Sequence, residues 1–142
     1  MKTNEPCKIY RTSHAASDYG RRYRRTYEKG YYHHQWEQIE KPILKRLFDE
    51  QQHRGARSIL DFACGGGRIL SLGEQWFETS CGVDVSDSML AEARRVCRKS
   101  SLFLQDIAEI PLGRTFDVVT AFRFFLNAEP SLRAAWHPSP TC

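Results

Sequence analysis

Short apolar runs alternate with helical stretches after residue 58, and this alternation predicts the fold. Four runs have the length of a buried β-strand: Ser58–Phe62, Ser80–Val85, Leu102–Gln105 and Phe116–Phe122. Residues 69–76 and 87–99 lie between the first three runs and have the spacing of helices, with Ser86 or Asp87 as the N-cap of the second. Strands that alternate with helices indicate a parallel sheet covered on both faces. We therefore predict an α/β doubly wound unit.

The first 57 residues have a different pattern, which predicts a helical cap. Tyr19, Tyr23, Tyr27 and Tyr31 recur at near-helical spacing. The following stretch carries six apolar residues that we assign to one helical stripe: Trp36, Ile39, Ile43, Leu44, Leu47 and Phe48. Pro42 is expected to start or kink that helix, and Gly55 is a natural C-terminal stop. The predicted organisation is a cap or substrate lid over residues 1–57 and a second unit over residues 58–142.

Composition narrows the class of protein. The 142 residues fit one domain with its own core. The five cysteines are scattered and form no C-x-x-C pair, so we predict reduced thiols and no metal site. No run approaches the about 18 apolar residues of a membrane span, and no secretory leader is visible, which predicts a cytoplasmic protein without a membrane partner. The basic segment Arg21–Arg25 predicts a solvated helix face, with nucleic-acid binding as the less favoured interpretation.

The stretch SILDFACGGGRIL carries the candidate chemistry, because three glycines follow the first predicted strand. A dinucleotide site requires G-x-G-x-x-G, but Leu70 stands where the last glycine belongs, and the Gly-Lys-Ser/Thr of a P-loop is also missing. Asp61 at the end of the strand would repel a pyrophosphate and attract a sulfonium or an amino group. Asp84 follows 23 residues later, where a carboxylate can accept hydrogen bonds from ribose hydroxyls. The pattern favours S-adenosylmethionine over NAD.

Four stretches in this order resemble the motifs of the class I S-adenosylmethionine-dependent methyltransferases: LDFACGGGR, CGVDVSDSML, LQDIAEIPL and FDVVTAFRFFLN. The resemblance covers residues 58–127 and implies a Rossmann-like sheet in the order 3-2-1-4. It implies that Asp84 binds ribose, that Val85 and Met89 flank the adenine, and that Asp106 and Ile107 face its amino group and ring. The other implied cofactor-binding residues lie in the first motif and at the end of the fourth strand: Asp61, Ala63, Cys64, Gly65, Gly67 and Phe122.

The end of the chain departs from the family pattern. Only about 15 residues follow Leu126, where related domains continue with about three more strands, so we expect an incomplete sheet and a truncated chain. Val118, Val119, Phe122, Phe124 and Phe125 would then lose part of their cover. Ala121-Phe122-Arg123-Phe124 lacks the Asn/Asp-Pro-Pro-Tyr/Phe signature, which disfavours a DNA adenine or glutamine methyltransferase.

The predicted function is methyl transfer from S-adenosylmethionine to a small molecule, with activity in doubt if the chain is truncated. Methyl transfer depends largely on positioning, and a base helps only when the acceptor must lose a proton. Tyr31 and His34 are candidate bases, and Arg123 is a candidate anchor for an acidic substrate. A non-catalytic cofactor-binding or interaction fragment and a nicotinamide-dependent oxidoreductase fragment stay open as alternatives. The sequence does not indicate an oligomeric state.

Overall fold

The computed structural model of the chain describes residues 18–106, 112–128 and 130–135. In these residues, helices surround one small sheet. The helices are α1 (Tyr19–Glu28), α2 (Tyr31–Gln35), a π-helical turn (Trp36–Glu40), α3 (Lys41–His53), α4 (Arg68–Gly73), α5 (Asp87–Val96), α6 (Phe124–Asn127) and α7 (Pro130–Ala135). The strands are β1 (Ser58–Phe62), β2 (Thr79–Asp84), β3 (Ser101–Leu104) and β4 (Val118–Thr120).

The sheet has four parallel strands in the order β3-β2-β1-β4, which confirms the predicted fold class and strand order. Asp61 near the end of β1 pairs in register with Gly82 of β2 and Thr120 of β4. The carboxyl ends of the strands therefore meet at one edge, where ligands bind in sheets of this kind. Strand β4 is shorter than the predicted run, because regular pairing with β1 stops at Thr120.

The helices before the sheet are interrupted at two places that the sequence explains. Gly30 has φ 83° and ψ −156°, a conformation that is essentially restricted to glycine, and it separates α1 from α2. Pro42 lies in the first turn of α3, directly after the π-helical turn, as expected for a residue without a backbone N–H. Ser86 is the N-cap of α5, since its Oγ accepts a hydrogen bond from the Met89 N–H at 3.4 Å.

The predicted apolar stripe, which runs through the π-helical turn and α3, is only half buried, which corrects the sequence analysis. Its six residues form two neighbouring rows with four-residue spacing, and only one row faces the sheet layer. The buried row contains Trp36, Leu44 and Phe48, the last in contact with Phe77 at a ring-centroid distance of 5.4 Å. The other row is exposed and contains Ile39, Ile43 and Leu47.

The prediction that Phe124 loses its cover is also wrong. The chain turns sharply at Arg123, whose φ of 61° lies in the left-handed region, and α6 then folds back. Phe124 is 2% exposed and meets the ring of Phe62 edge-on at 4.7 Å. Val119 and Phe125 are exposed as predicted, at 44% and 38%. Within the described residues, no helix is long and apolar enough to cross a membrane.

Candidate functional site

The turn after β1 has an unusual backbone at three positions. Ala63, Gly65 and Gly67 have φ values of 54°, 53° and 78°, in the left-handed region that favours glycine. The Cys64 N–H donates to the Val83 carbonyl at 2.9 Å, and the Gly67 N–H donates to the Cys64 carbonyl at 3.0 Å. These bonds fix the turn against the neighbouring strand. Ala63 occupies a conformation that costs an L-residue free energy.

The three consecutive glycines have different roles. A Cβ at Gly65 would lie 2.9 Å from Met89 Cε, and a Cβ at Gly67 would lie 2.8 Å from Cys97 Sγ and 3.1 Å from Ala93 Cα. Close packing against α5 therefore requires both glycines, in addition to their φ values. Gly66 differs, because its Cβ would meet only Glu92 Cβ at an ordinary 3.9 Å.

A cavity of 260 Å³ lies between the glycine turn, α1 and the end of β4. Five of the predicted cofactor-binding residues line it: Asp61, Ala63, Cys64, Gly65 and Phe122. Helix α1 contributes Gly20, Tyr23, Arg24, Tyr27 and Glu28, and the rest of the lining consists of Gly66, Arg68, Ile69, Ser71, Glu92, Val96 and Arg123. Thus the two halves of the chain enclose the cavity together.

Asp61 is the most unusual charged group at this cavity. Its side chain is 1% exposed, and its Oδ1 accepts a hydrogen bond from Thr120 Oγ1 at 2.6 Å. Its Oδ2 is buried and has no hydrogen-bond partner among the described residues. Burial raises the pKa of Asp61 to about 7; the charge of Asp84 adds to this effect, while the Thr120 hydrogen bond and Arg68 oppose it. The carboxyl group can therefore take up or release a proton near neutral pH.

Asp84 joins the end of β2 to the glycine turn. Its Oδ2 accepts the Gly65 N–H at 2.8 Å, and its Oδ1 accepts the Ser86 N–H at 2.9 Å. Asp84 is 6% exposed and is not among the described residues that line the cavity. The assignment of Asp84 to a ribose therefore stays a prediction, and the structure assigns it a role in holding the turn.

Four of the remaining predicted cofactor residues are not among the described residues of the cavity wall. Gly67 and Met89 are buried, Met89 beneath Gly65, while Val85 and Asp106 are half-buried. None of the four is among the described lining residues. Ile107 lies outside the described residues.

The candidate catalytic residues separate into two groups. Tyr31 is 76% exposed, His34 is exposed as well, and neither is among the described lining residues. Arg123 lines the cavity, and both ends of its guanidinium group have partners. Its Nη1 donates to Tyr27 Oη at 2.7 Å, and its Nη2 donates to Glu40 Oε1 at 2.6 Å.

Sequence reasoning missed the contacts that α1 and the π-helical turn make with Arg68 and Arg123, two arginines that line the cavity. The Arg68 guanidinium carbon lies 3.7 Å from the centroid of the Tyr27 ring and 4.7 Å from that of Trp36. Glu40 is 9% exposed although it is charged. The tyrosine repeat was the sequence signal that could have indicated these contacts. The row of stacked rings continues from Tyr27 to Tyr32, with 5.5 Å between the ring centroids, and not to Tyr31, because α1 ends before Gly30.

The structure also locates the basic segment and three of the cysteines that the sequence analysis discussed. The four arginines of the segment from Arg21 to Arg25 are exposed, and Arg24 also lines the cavity. Arg24 also forms an ion pair with Glu92 at 2.8 Å, which links α1 to α5. Cys64, Cys81 and Cys97 are free thiols, and the described residues contain no cluster of three or more potential metal ligands.

Comparisons with known proteins agree with this arrangement. Residues 59–137 match the family described as "Methyltransferase domain". The chain is 35% identical over 69 residues to dTDP-4-amino-2,3,4,6-tetradeoxy-D-glucose N,N-dimethyltransferase of Saccharopolyspora spinosa, a match that covers 49% of this chain and 28% of that protein. It is also 35% identical over 66 residues to dTDP-3-amino-3,4,6-trideoxy-alpha-D-glucopyranose N,N-dimethyltransferase of Streptomyces venezuelae, which covers 46% of this chain and 28% of that protein.

A solved structure extends the similarity to the fold. SAM-bound CalS10, an amino pentose methyltransferase from Micromonospora echinaspora, aligns with a TM-score of 0.57 and 29% identity, over 66% of this chain and 42% of that chain. The chain spans less than half of the length of each of these relatives. The family match nevertheless covers more than half of the 142 residues and includes the glycine turn, Asp61 and Asp84. The chain therefore belongs to the family of methyltransferase domains.

Proposed function

We propose that the chain binds S-adenosylmethionine at the glycine turn and forms part of an enzyme that methylates an amino group of a small molecule. The observation that carries this proposal is the buried, unpartnered Oδ2 of Asp61 at a cavity beside a tight glycine turn. A buried carboxylate oxygen without a partner is costly, and a bound cation would offset that cost. The ammonium group of the cofactor is such a cation.

The cofactor would supply an electrophilic methyl group on a positively charged sulfur. The contribution of this chain is to bind, orient and exclude water. Asp61 would accept hydrogen bonds from the ammonium group, and the Gly65–Gly67 turn would allow close approach of the backbone. Helix α1 covers the cavity from the other side, which supports the role of residues 1–57 as a cap and of residues 58–142 as the cofactor-binding unit.

The two curated relatives suggest the class of acceptor. Both are named as N,N-dimethyltransferases of dTDP-bound amino sugars, so we infer an amino sugar carried on a nucleoside diphosphate as the acceptor. Such an amine must lose a proton before or during transfer. Because Tyr31 and His34 are exposed outside the cavity, their assignment as that base requires a movement of α2 toward the cavity.

Isothermal titration with S-adenosylhomocysteine tests the proposal. We expect saturable binding to the wild type and a loss of about tenfold or more in Asp61→Asn, since a hydrogen bond between charged groups contributes about 1.5–3 kcal/mol. The matched control is Asp87→Asn, whose carboxylate is on the surface of α5 and should leave the affinity unchanged.

The same titration distinguishes the alternatives. Binding of NAD in place of S-adenosylhomocysteine would favour the oxidoreductase and refute the proposal. Transfer of a radiolabelled methyl group from S-adenosylmethionine to a dTDP-amino sugar tests the enzymatic part separately. Tight cofactor binding without any transfer would favour the non-catalytic fragment.

A further inference from the structure

Helices α1 and α5 lie side by side and run in the same direction. The Gly20 N–H donates to Ser88 Oγ at 3.3 Å, and about one turn later Arg24 Nε lies 2.8 Å from Glu92 Oε2. The sequence separation is 68 positions in both contacts, so the two helices keep one register. Their carboxyl ends therefore lie next to each other.

The net positive charge of the chain is concentrated on this pair of helices. Residues 18–29 and 87–99, which contain α1 and α5, hold nine basic and four acidic residues, a net charge of +5, whereas the whole chain has a net charge of +4. The fold thus joins two basic segments that are far apart in the sequence. All nine basic side chains are exposed, and we call them the basic face: Arg21, Arg22, Arg24, Arg25, Lys29, Arg94, Arg95, Arg98 and Lys99.

The acidic residues of the two helices neutralise only part of the basic face. All four form ion pairs with arginines of the same helices: Asp18 with Arg22, Glu28 with Arg24, Asp87 with Arg94, and Glu92 with Arg24 and Arg95. Four basic side chains have no ion-pair partner among the described residues: Arg21, Arg25, Lys29 and Arg98. These four charges are available to an external anion.

The unpaired arginines of α1 lie on the side of the helix away from the cavity. Tyr23 and Tyr27 line the cavity. Arg21 and Arg25 precede them by two residues each, which is about 200° around an α-helix. An anion on this outer side would therefore bind separately from a ligand in the cavity.

The helix dipole accounts for only part of the basic face. Arg25, Arg94 and Arg95 lie in the last turns of their helices, where a positive charge is favourable. Arg21 lies in the first turn of α1, where the dipole disfavours a positive charge, and that turn contains no acidic residue. Helix α1 therefore carries positive charge at a position where helix stability gives no reason for it.

The composition of the basic face fits phosphate groups better than an acidic protein. Seven of the nine residues are arginines, whose planar guanidinium group can bind a phosphate through two N–H groups. The buried centre of a protein interface is usually apolar or aromatic. In α1 and α5, which the structure describes in full, Val96 is the only exposed large hydrophobic side chain, and it lines the cavity. The tyrosines of α1 are half-buried against one another, so they offer no free ring to an unpaired base.

We propose that the basic face binds the phosphate backbone of a nucleic-acid duplex without reading its sequence. The segment from Arg21 to Arg25 alone favoured a solvated helix face, but the fold adds four basic residues from α5 and the loop after it. Helix α1 has ten residues and is about 15 Å long, and a duplex presents about one negative charge per 1.7 Å, so about nine phosphates lie along that length. This binding is independent of the proposed cofactor site.

Fluorescence anisotropy with labelled DNA duplexes of about 20 base pairs tests the inference. We expect saturable binding in 50 mM KCl, equal within about threefold for two unrelated sequences. The logarithm of the association constant should fall against the logarithm of the salt concentration with a slope of about −3.6, at about −0.9 for each of four unpaired cations.

Three variants locate the binding surface. In Arg21→Gln/Arg25→Gln the slope should become less steep by about 2, and in Arg98→Gln by about 1, because each variant removes that number of phosphate contacts. The matched control is Lys45→Gln/Arg46→Gln, which removes the same charge as the first variant from exposed positions of α3. Its slope should differ from that of the wild type by less than about 0.5.

The opposite results would overturn the inference. An absence of saturable binding in 50 mM KCl would refute it, and equal changes of slope in the α1 double variant and the α3 control would show that net charge alone attracts the duplex. An unchanged slope in Arg98→Gln would refute a surface that both helices share. Tighter binding of polyglutamate than of the duplex would assign the basic face to an acidic protein, and a preference above about tenfold for one sequence would contradict recognition of the backbone.

Discussion

The titration of Asp61 allows the most direct test of the site. Burial raises the pKa of Asp61 from 3.8 to about 7, so the folded chain holds a proton that the unfolded chain has already released in the intervening range. The contribution of Asp61 to stability is therefore fully present below pH 4 and is lost as the pH rises through about 7. The shift of about 3 units corresponds to at most about 4 kcal/mol, at about 1.4 kcal/mol per unit.

Replacement of Asp61 by Asn removes this titration and retains an oxygen that can accept the Thr120 hydroxyl. We expect the free energy of unfolding of the wild type to fall, relative to Asp61→Asn, by up to about 4 kcal/mol between pH 4 and pH 7. Urea unfolding at half-unit pH intervals measures this difference. The comparison with the variant cancels the other titrations, because Asp84, Arg68 and Cys64, which face Asp61, are present in both proteins.

The ionisation of Asp61 should also control ligand affinity, which should depend on pH in the opposite direction to stability. An ammonium-bearing ligand favours the ionised carboxylate, so its affinity for the wild type should rise as the pH increases from 6 to 8. The affinity of Asp61→Asn should stay flat over that range. Parallel stability profiles together with parallel affinity profiles for the two proteins would refute both the raised pKa and the assignment of Asp61 to a cation.

The remaining predictions concern the turn and its neighbours. Ala63→Gly should raise stability by about 0.5–1 kcal/mol in thermal unfolding, since φ 54° strains an alanine; an unchanged or lower midpoint would contradict this. Gly67→Ala should lose more than about 2 kcal/mol in urea unfolding, whereas Gly66→Ala should change stability by less than about 1 kcal/mol; equal losses would show that packing on α5 does not distinguish them. Asp84→Ala should abolish cofactor binding in isothermal titration, while His34→Ala should leave cofactor binding intact. An unaltered affinity in Asp84→Ala would show that Asp84 is not part of the cofactor site.

The sheet could be predicted from the sequence because its strands are short, apolar and separated by helices. Ser58–Phe62 matches the predicted first strand residue for residue, and the other strands differ only at their ends. In a buried parallel strand the local composition and the tertiary environment favour the same conformation. The ends could not be predicted, because they depend on how far a neighbouring strand continues to pair, as at Thr120.

The cavity wall was less predictable, because it depends on contacts between distant parts of the chain. The pairing of Arg123 with Glu40 joins residues 83 positions apart, and no local pattern marks either residue as a partner. The two rows of α3 illustrate the same difficulty. Ile43 and Leu44 have equal hydropathy character, and only the position of the sheet decides that Leu44 is buried while Ile43 is exposed.

The contacts of α1 imply that closing the cavity and binding its ligand are coupled. A Cβ at Gly20 would lie 2.2 Å from the Ser88 carbonyl oxygen, so α1 reaches this depth over α5 only because residue 20 is glycine. The same helix places Tyr27, which accepts hydrogen bonds from Tyr23 at 3.2 Å and Arg123 at 2.7 Å. A ligand that satisfies Asp61 would therefore favour the position of α1 that encloses it, since Tyr27 of α1 lines the same cavity. The cap and the glycine turn form one binding unit, although the sequence pattern separates them.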